Sequence, residues 1–255
     1  DSGRNSHTAM KIIRLETIDS TNSEALRRLP DLEDGTVLWA LEQTAGRGQR
    51  GNSWFSAPGE NLTFSVVLKF GEGELAAADA HFLNYAIAEA LTGFLESLEV
   101  PAGVKWPNDV YVGKNKISGV LIENSLVGAT VAASVVGVGF NVNQKDFPQL
   151  ANATSLCLCT GREYPLETCL EGILQRFEKA LSYLARPGLR AELFASYSSR
   201  LFLKDVSARY RDLLTGEEFT GVIRGVDSSD GRLRVLDSAT GALRLFRFKE
   251  LGYIL

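Results

Sequence analysis

The residues best suited to chemistry form a glycine- and arginine-rich segment at positions 43–56. Its three glycines allow the backbone to approach a ligand closely and to present N–H donors to an anion. Arg47 and Arg50 add charge that pairs with a carboxylate or a phosphate. Trp54 offers a flat surface for a ring. The segment predicts a ligand-binding loop, although a solvated turn has the same composition; the glycines are Gly46, Gly48 and Gly51.

Two further segments hold a lysine in rigid surroundings. Lys105-Trp106-Pro107-Asn108-Asp109 places Lys105 at the tip of a short strand, directly before a turn. Lys116 opens a strand that contains Gly119, and a glycine inside a strand indicates a bulge or a close approach to a ligand. A surface lysine beside an ordinary turn and a packing glycine are the plain alternatives.

Several classes of site are excluded by their missing patterns. No GxGxxG opens a helix and no GxxxxGK[ST] occurs, so a bound nucleotide would need another route. His7 and His81 lack metal-ligand spacing, and the three cysteines form no CxxC pair. We expect reduced thiols, with residues 157–159 in a buried strand.

The composition is that of an ordinary globular protein, and the sparse, unpaired cysteines lead us to expect a cytoplasmic location. The net charge is −4, so no global positive field indicates a nucleic acid or an anionic membrane as partner. No apolar run approaches the ~18 residues of a membrane span. Residues 1–9 are polar and aperiodic, and we interpret them as a non-native leader outside the fold.

The elements that must position these residues follow from periodicity and turn signals. Strands are predicted at residues 11–18, 35–43, 62–70, 104–106, 110–112, 117–123 and 129–140. Helices are predicted at residues 23–29, 75–98, 166–184 and 189–201, the last two separated by Pro187-Gly188.

Beyond residue 203 the pattern changes to short alternating runs at 206–210, 218–226, 233–237 and 243–248. Gly-containing turns separate them, as in a small β-barrel. The predicted fold class is therefore α+β, a mixed β-sheet with packed helices followed by a small all-β domain.

Together the segments resemble the biotin–protein ligase family. The resemblance is carried by residues 46–51 with Trp54-Phe55-Ser56, by residues 105–109, 116–119 and 137–143, and by an opening Asp19-Ser20-Thr21-Asn22. It covers residues 11–255 in order and spacing. It implies a class II aminoacyl-tRNA synthetase-like catalytic domain at 10–203, an SH3-like β-barrel at 204–255, and the monofunctional type without an N-terminal DNA-binding domain.

The resemblance also implies a role for individual residues. The biotin-binding residues would be Ser20, Thr21, Gln43, Gly46, Arg47 and Lys105. The ATP- or adenylate-binding residues would be Arg50, Trp54, Lys105, Asn108 and Asn141. Lys116 would border the acceptor side, and the catalytic residues would be Arg47, Arg50, Lys105 and Asp109.

Two positions depart from the family pattern. Gln49 stands where the family often has arginine, which leaves Arg50 and Lys105 to carry more of the charge. The segment Glu250-Leu251-Gly252-Tyr253 lacks the basic residue that some relatives place near ATP. We therefore assign no site residue to the small domain.

The implied reaction joins biotin to AMP with loss of pyrophosphate, and then transfers biotin to a lysine of a biotin carboxyl carrier protein or domain. Its substrates are ATP and biotin, Mg²⁺ assists, and the residues predict no metal site of their own. The expected partner is a biotin-dependent carboxylase such as acetyl-CoA carboxylase. No nucleic acid or membrane is expected, and an exposed sheet edge leaves a homodimer open.

Three alternatives compete with this interpretation. A lipoate or octanoate attachment enzyme shares the fold but lacks the joined glycine-loop and Lys-Trp-Pro-Asn-Asp elements. A DNA-binding regulator would carry a helix-turn-helix before the ligase pattern, which begins at Met10. A non-enzymatic binding module built on the barrel leaves the charged glycine segment unexplained.

Overall fold

The computed structural model describes residues 10–148 and 150–255. The predicted leader at 1–9 lies outside these residues. Within them, no helix is both long and apolar enough to cross a membrane.

A seven-stranded mixed sheet forms the larger part of the molecule. Its strand order is β1-β2-β3-β7-β6-β5-β4, with β1 and β2 parallel and every other pair antiparallel. The strands are β1 (Lys11–Ile18), β2 (Thr36–Gln43), β3 (Leu62–Lys69), β4 (Gly103–Lys105), β5 (Asp109–Val112), β6 (Asn115–Val127) and β7 (Thr130–Phe140).

Five helices accompany the two sheets in the described chain. They are α1 (Thr21–Arg27), α2 (Phe82–Ser97), α3 (Leu156–Thr160), α4 (Leu166–Leu184) and α5 (Pro187–Ser199). The long helices α2 and α4 pack together in the large apolar core, and α5 lies against both. The apolar positions of α4 recur at helical spacing, which is why one of its faces is buried.

The two faces of the large sheet are covered differently. Along β7, Val136 and Val138 belong to the core beneath α2 and α4, while Val135 packs with α1 on the opposite face. Because successive side chains of a strand point to opposite faces, Gly137 and Gly139 lie on the same face as Val135. Helix α1 is short, so this face stays partly open, and the glycines leave a hollow there.

A second sheet of five antiparallel strands follows. Its order is β11-β10-β9-β8-β12, which confirms the predicted all-β region after the mixed sheet. Left-handed glycines occupy the predicted turns, among them Gly216 and Gly241 with φ of 78° and 73°. The strands are β8 (Ser207–Asp212), β9 (Glu218–Val226), β10 (Leu233–Asp237), β11 (Leu243–Phe246) and β12 (Leu251–Ile254). We call this sheet the barrel.

Three sequence expectations about secondary structure are wrong. Residues 157–159 lie in α3, because the Ser155 hydroxyl caps that helix by accepting from the Leu158 N–H. The helix predicted from Leu75 begins only at Phe82, because residues 75–77 hydrogen-bond in extended form to the β6–β7 hairpin. Helix α5 begins at Pro187 and not after the Pro187-Gly188 pair at residue 189, because the fixed φ of proline suits a first helical position.

The sequence pattern also missed β12. This strand pairs with β8 from the barrel's other end, through the register Tyr253↔Tyr210. A four-residue run after a Lys-Glu turn has too few alternations to stand out.

Candidate active site

A cavity of about 690 Å³ opens on the α1 face of the large sheet. Its walls come from the start of α1, the glycine-rich segment, β4–β7 and the barrel. The predicted site residues that line it are Ser20, Thr21, Gln43, Arg47, Arg50, Trp54, Lys105, Asp109, Lys116 and Asn141.

Three glycines of β6 and β7 form what we call the glycine notch: Gly119, Gly137 and Gly139. Gly119 and Gly139 face each other across the strand pair. A Cβ at either position would collide with the Trp54 ring, and a Cβ at Gly137 would collide with the Asn22 amide. The notch therefore lets an indole and an amide lie directly on the backbone of the sheet.

Residues 44–53, here called the glycine loop, form the opposite wall. The loop closes on itself through Gly48 N–H to Asn52 O, 2.7 Å, and Trp54 N–H to Gly46 O, 2.9 Å. Its tip turns through left-handed backbone at Arg50 and Gly51, with φ of 59° and 74°. A non-glycine residue with left-handed backbone is uncommon, so the conformation of Arg50 leads us to expect a functional role for the loop tip.

Gln49 ties the tip of the glycine loop to the sheet. Its amide Nε2 donates to Asn108 Oδ1 and to Val120 O, both at 2.9 Å. Asn108 in turn donates to Asn84 Oδ1 of α2 at 2.7 Å. A neutral amide relay thus connects the loop, the Lys-Trp-Pro-Asn-Asp turn and α2.

A cluster of hydroxyl and amide groups occupies one end of the cavity. Gln43 Oε1 accepts from Thr21 N–H at 2.8 Å and from the Thr21 hydroxyl at 3.2 Å. Ser65 donates to Thr21 Oγ1 or to Asn22 Oδ1, at 2.7 and 2.6 Å. Ser20 caps α1 and is almost fully buried. This end suits a polar, uncharged ring with both donors and acceptors.

Five cationic side chains line the cavity: Arg47, Arg50, Lys105, Lys116 and, from the barrel, Lys249. Arg47 pairs with Glu123 at 2.7 Å, and Lys116 pairs with Asp109 at 2.9 Å. Arg50 and Lys105 have no carboxylate partner among the residues that the structure describes. The cavity therefore holds more positive charge than it neutralises, which favours an anionic ligand.

Lys105 lies between two aromatic rings. Its ammonium is 5.4 Å from the centroid of Tyr111 and 4.9 Å from that of Tyr253, within the range of cation–π attraction. Burial lowers the pKa of Lys105, and the Asp109 carboxylate opposes this shift, while Lys116 and Arg50 add to it. Burial also raises the pKa of Tyr111 to about 12.

Asn141 carries an unused acceptor in the cavity lining. Its Nδ2 donates to Thr154 O at 3.0 Å, while its Oδ1 is buried with no hydrogen-bond partner among the described residues. Asn141 is 2% exposed. Because a buried acceptor without a partner destabilises the fold, this oxygen suits a ligand N–H.

Two predicted site residues lie off the main cavity. Asn108 is buried behind Gln49 and lines a smaller neighbouring crevice. Gly46 sits at the base of the glycine loop, where a Cβ would meet Trp54 O and Gln43. Both positions support the walls from behind, and their predicted contacts with a ligand stay predictions.

Sequence reasoning missed several residues of the site. Asn22 was named only within the opening Asp19-Ser20-Thr21-Asn22 segment, without a role, and Glu123 only as the end of a strand, although they share a 3.0 Å hydrogen bond beside Arg47. The barrel also reaches the cavity, although the sequence assigned it no site residue. Its lining residues are Phe248, Lys249, Leu251, Gly252 and Tyr253.

The chain is similar to known proteins over most of its length. Residues 14–141 match the model of the biotin/lipoate A/B protein ligase family. A biotin–[acetyl-CoA-carboxylase] ligase of Mycobacterium tuberculosis is 30% identical over 84% of this chain and 79% of its own length. One of Paracoccus denitrificans is 41% identical over 50% of this chain, a match that spans 53% of that protein.

A solved structure shares the whole architecture. The biotin protein ligase from Aquifex aeolicus in complex with biotin and ATP has a TM-score of 0.78 and 28% identity, covering 95% of this chain and 97% of that one. This match confirms the α+β fold with its C-terminal barrel. The chain therefore belongs to the biotin/lipoate A/B protein ligase family, and it is an enzyme of the ligase class.

Proposed function

We propose that this protein activates biotin with ATP to biotinyl-5′-AMP and transfers the biotinyl group to a lysine of a biotin carboxyl carrier protein or domain. One observation carries the proposal. A single cavity joins an uncharged hydrogen-bonding end at Thr21 and Gln43 to a cationic middle at Arg50 and Lys105. This arrangement fits the ureido ring of biotin at the uncharged end. The cationic middle fits the place where the biotin carboxylate meets the phosphates of ATP.

In the first step a biotin carboxylate oxygen attacks the α-phosphorus of ATP. The bond between that phosphorus and the bridging oxygen breaks, and pyrophosphate leaves with its electron pair. An anion must approach a polyanion, so Arg47, Arg50 and Lys105 reduce the repulsion and stabilise the charge of the transition state. The ring of Trp54 would border the adenine, and the free Asn141 Oδ1 would accept from an N–H of the nucleotide.

In the second step the neutral amine of the acceptor lysine attacks the carbonyl carbon of the anhydride. AMP leaves, an amide bond forms, and the amine loses a proton. A free lysine is mostly charged at pH 7, so a group that orients or accepts this proton helps. Asp109 is suited to this role, and its carboxylate is held by Lys116 at 2.9 Å on the acceptor side.

Mg²⁺ would enter with the nucleotide phosphates. Among the described residues, no group of three or more His, Cys, Asp and Glu side chains is placed to hold a metal ion. Asp109, the one carboxylate of the described cavity lining, is already paired with Lys116. The donor set therefore does not fit a metal bound by the protein itself.

The polar end of the cavity favours biotin over lipoate. A lipoyl chain and dithiolane ring are apolar and would leave Thr21, Gln43 and Ser20 without ligand partners, at a cost in binding free energy. A cytoplasmic location and the carboxylase partner are consistent with this chemistry.

The proposal is tested by biotin-dependent exchange of labelled pyrophosphate into ATP, with lipoate as the competing substrate. We expect exchange with biotin and none with lipoate. Titration calorimetry with biotin, with and without ATP, measures the binding step. Absence of pyrophosphate exchange in folded protein with biotin, ATP and Mg²⁺ would refute activation.

Transfer is tested separately with an isolated biotin carboxyl carrier domain and a variant in which its target lysine is arginine. We expect label on the first and none on the second. Asp109→Asn should slow transfer from preformed adenylate. Unchanged transfer in that variant would exclude the proton role of Asp109 and leave activation intact.

A further inference from the structure

The barrel lies against the strand that carries Lys105. Trp106, the next residue, donates its indole N–H to Gly231 O of the barrel at 3.1 Å. Its ring also meets that of Phe248 edge-on, with 6.4 Å between centroids. The position of Lys105 is therefore coupled to the seating of the barrel.

The barrel reaches Lys105 itself through Tyr253. Strand β12 pairs with β8, and this register sets the Tyr253 ring against that of Tyr210, 5.3 Å away and edge-on. Tyr210 is fully buried in the barrel core. A continuous line of packed rings thus runs from the barrel interior to the Lys105 ammonium at 4.9 Å.

Among the described residues, no carboxylate forms an ion pair with Lys105. The nearest carboxylate, Asp109, is 2.9 Å from the Lys116 ammonium and pairs there. An ammonium on a four-carbon stem has many conformations, and holding it in one conformation costs free energy. Two aromatic faces restrict the stem, and they attract the cation without neutralising it.

We infer that Tyr253 is a positioning residue for Lys105, whose ammonium it holds, together with the Tyr111 ring, in the cavity where carboxylate and phosphate meet. A carboxylate in this place would also fix the lysine, but it would cancel the charge that the anions require. The barrel is thereby part of the active site. The contact between Tyr253 and Lys105 is inferred from geometry alone. The role of the Lys105 charge in catalysis rests on the proposed function.

The closing experiment begins with Tyr253→Leu in the full chain. We expect kcat for biotin-dependent pyrophosphate exchange to fall about tenfold, as expected for a desolvated cation–π contact that acts on the transition state. The KM for biotin should change less than about twofold, because the polar end at Thr21 and Gln43 is untouched. Tyr253→Phe keeps the ring and should restore kcat.

Two comparisons separate positioning from general damage to the barrel. Val235→Ala truncates a buried side chain of the barrel core on β10, which pairs with neither β8 nor β12, outside the cavity lining, and should leave kcat unchanged. In a Lys105→Ala background, Tyr253→Leu should add less than about a twofold loss, since the contact is already gone. The inference would be overturned if the losses multiply in the double variant, or if Val235→Ala loses as much kcat as Tyr253→Leu.

A second readout does not depend on activity. Stacked ring faces shift the protons of a nearby methylene upfield, so the ε-methylene signal of Lys105, assigned with Lys105→Arg, should be shifted in protein with ¹³C-labelled lysine. The shift should shrink in Tyr253→Leu and persist in Tyr253→Phe. An unchanged signal in Tyr253→Leu would overturn the contact. Wild-type protein without pyrophosphate exchange would refute the proposed function, and this signal would still decide whether Tyr253 holds Lys105.

Discussion

The two main walls of the cavity use glycine in opposite ways. In the glycine notch, Gly119 and Gly139 are fixed in paired strands, and their missing side chains make space for Trp54. In the glycine loop, Gly51 supplies a left-handed turn at an exposed tip. The notch is held by ladder hydrogen bonds, whereas Gln49 and Arg47 attach the loop through side chains. We expect the first wall to keep a fixed shape and the second to open and close.

This difference matters for a reactive anhydride. In the proposed reaction, water must be kept from the adenylate after it forms, yet both substrates must first enter. A wall with few attachments can release and rebind, while a paired sheet keeps the stacking surface in place. Four substitutions test this difference between the glycine notch and the glycine loop.

The largest effect is expected from Gly139→Ala. The new methyl group occupies space now taken by the Trp54 ring, so the indole and the attached loop must move. We expect pyrophosphate exchange to fall about a hundredfold, as for other small displacements of a binding surface. Gly188→Ala in α5, where a Cβ meets nothing within 4 Å, is the matched control. Wild-type exchange in folded Gly139→Ala would show that the notch does not fix Trp54.

A smaller effect is expected from Glu123→Gln, which removes the charge that orients Arg47. The pair is partly exposed, so its contribution is screened, and we expect about a fivefold loss of kcat/KM for exchange. The salt dependence of kcat/KM gives a second measurement. Added salt should lower wild-type activity more than that of Glu123→Gln, and equal salt dependence would argue against an orienting role.

Gln49→Ala should act on the loop alone. Loss of the hydrogen bonds to Asn108 and Val120 frees the tip, and we expect the Kd for biotin to rise about threefold. Hydrogen exchange should be faster at residues 46–53 of the empty variant, with α4 as internal reference. In the wild type, this segment should gain protection when biotin or adenylate binds. Equal exchange in empty and bound protein would contradict a closing loop.

The smallest effect at neutral pH is expected from Lys105→Arg, a substitution on the sheet side of the cavity. Its pKa is lowered by burial, so the ammonium loses its proton below the ordinary lysine value of about 10.4. Exchange kcat/KM should therefore fall as pH rises through that lowered pKa. Lys105→Arg stays charged and should shift this alkaline limb upward. A limb at the same pH in both proteins would assign it to another group.

Much of the fold was readable from local pattern. Alternation and turn glycines located most strands, and the apolar spacing of residues 166–184 located α4 with its observed bounds. The same reasoning failed at Cys157 and Cys159, because a five-residue helix is too short for its apolar spacing to repeat, and only the Ser155 cap marks it. Local pattern is reliable where an element is long enough to repeat.

The site was readable where its residues lie close together in sequence. The composition of the glycine loop and of residues 105–109 was enough to indicate a site. Tyr253 does not, because it reaches Lys105 only after the barrel forms and docks beside Trp106. Contacts made by closure of a distant sheet leave no trace in the spacing of either segment.

The indole that lies on the bare strands offers a handle for redesign. Trimming Trp54 to a small residue would leave a slot whose floor is made of peptide groups belonging to two paired strands. Such a floor cannot collapse by rotating a side chain, so the void would keep its outline. A nucleotide with a bulky substituent on its base would then fit the Trp54 variant and would be too large for the wild-type protein.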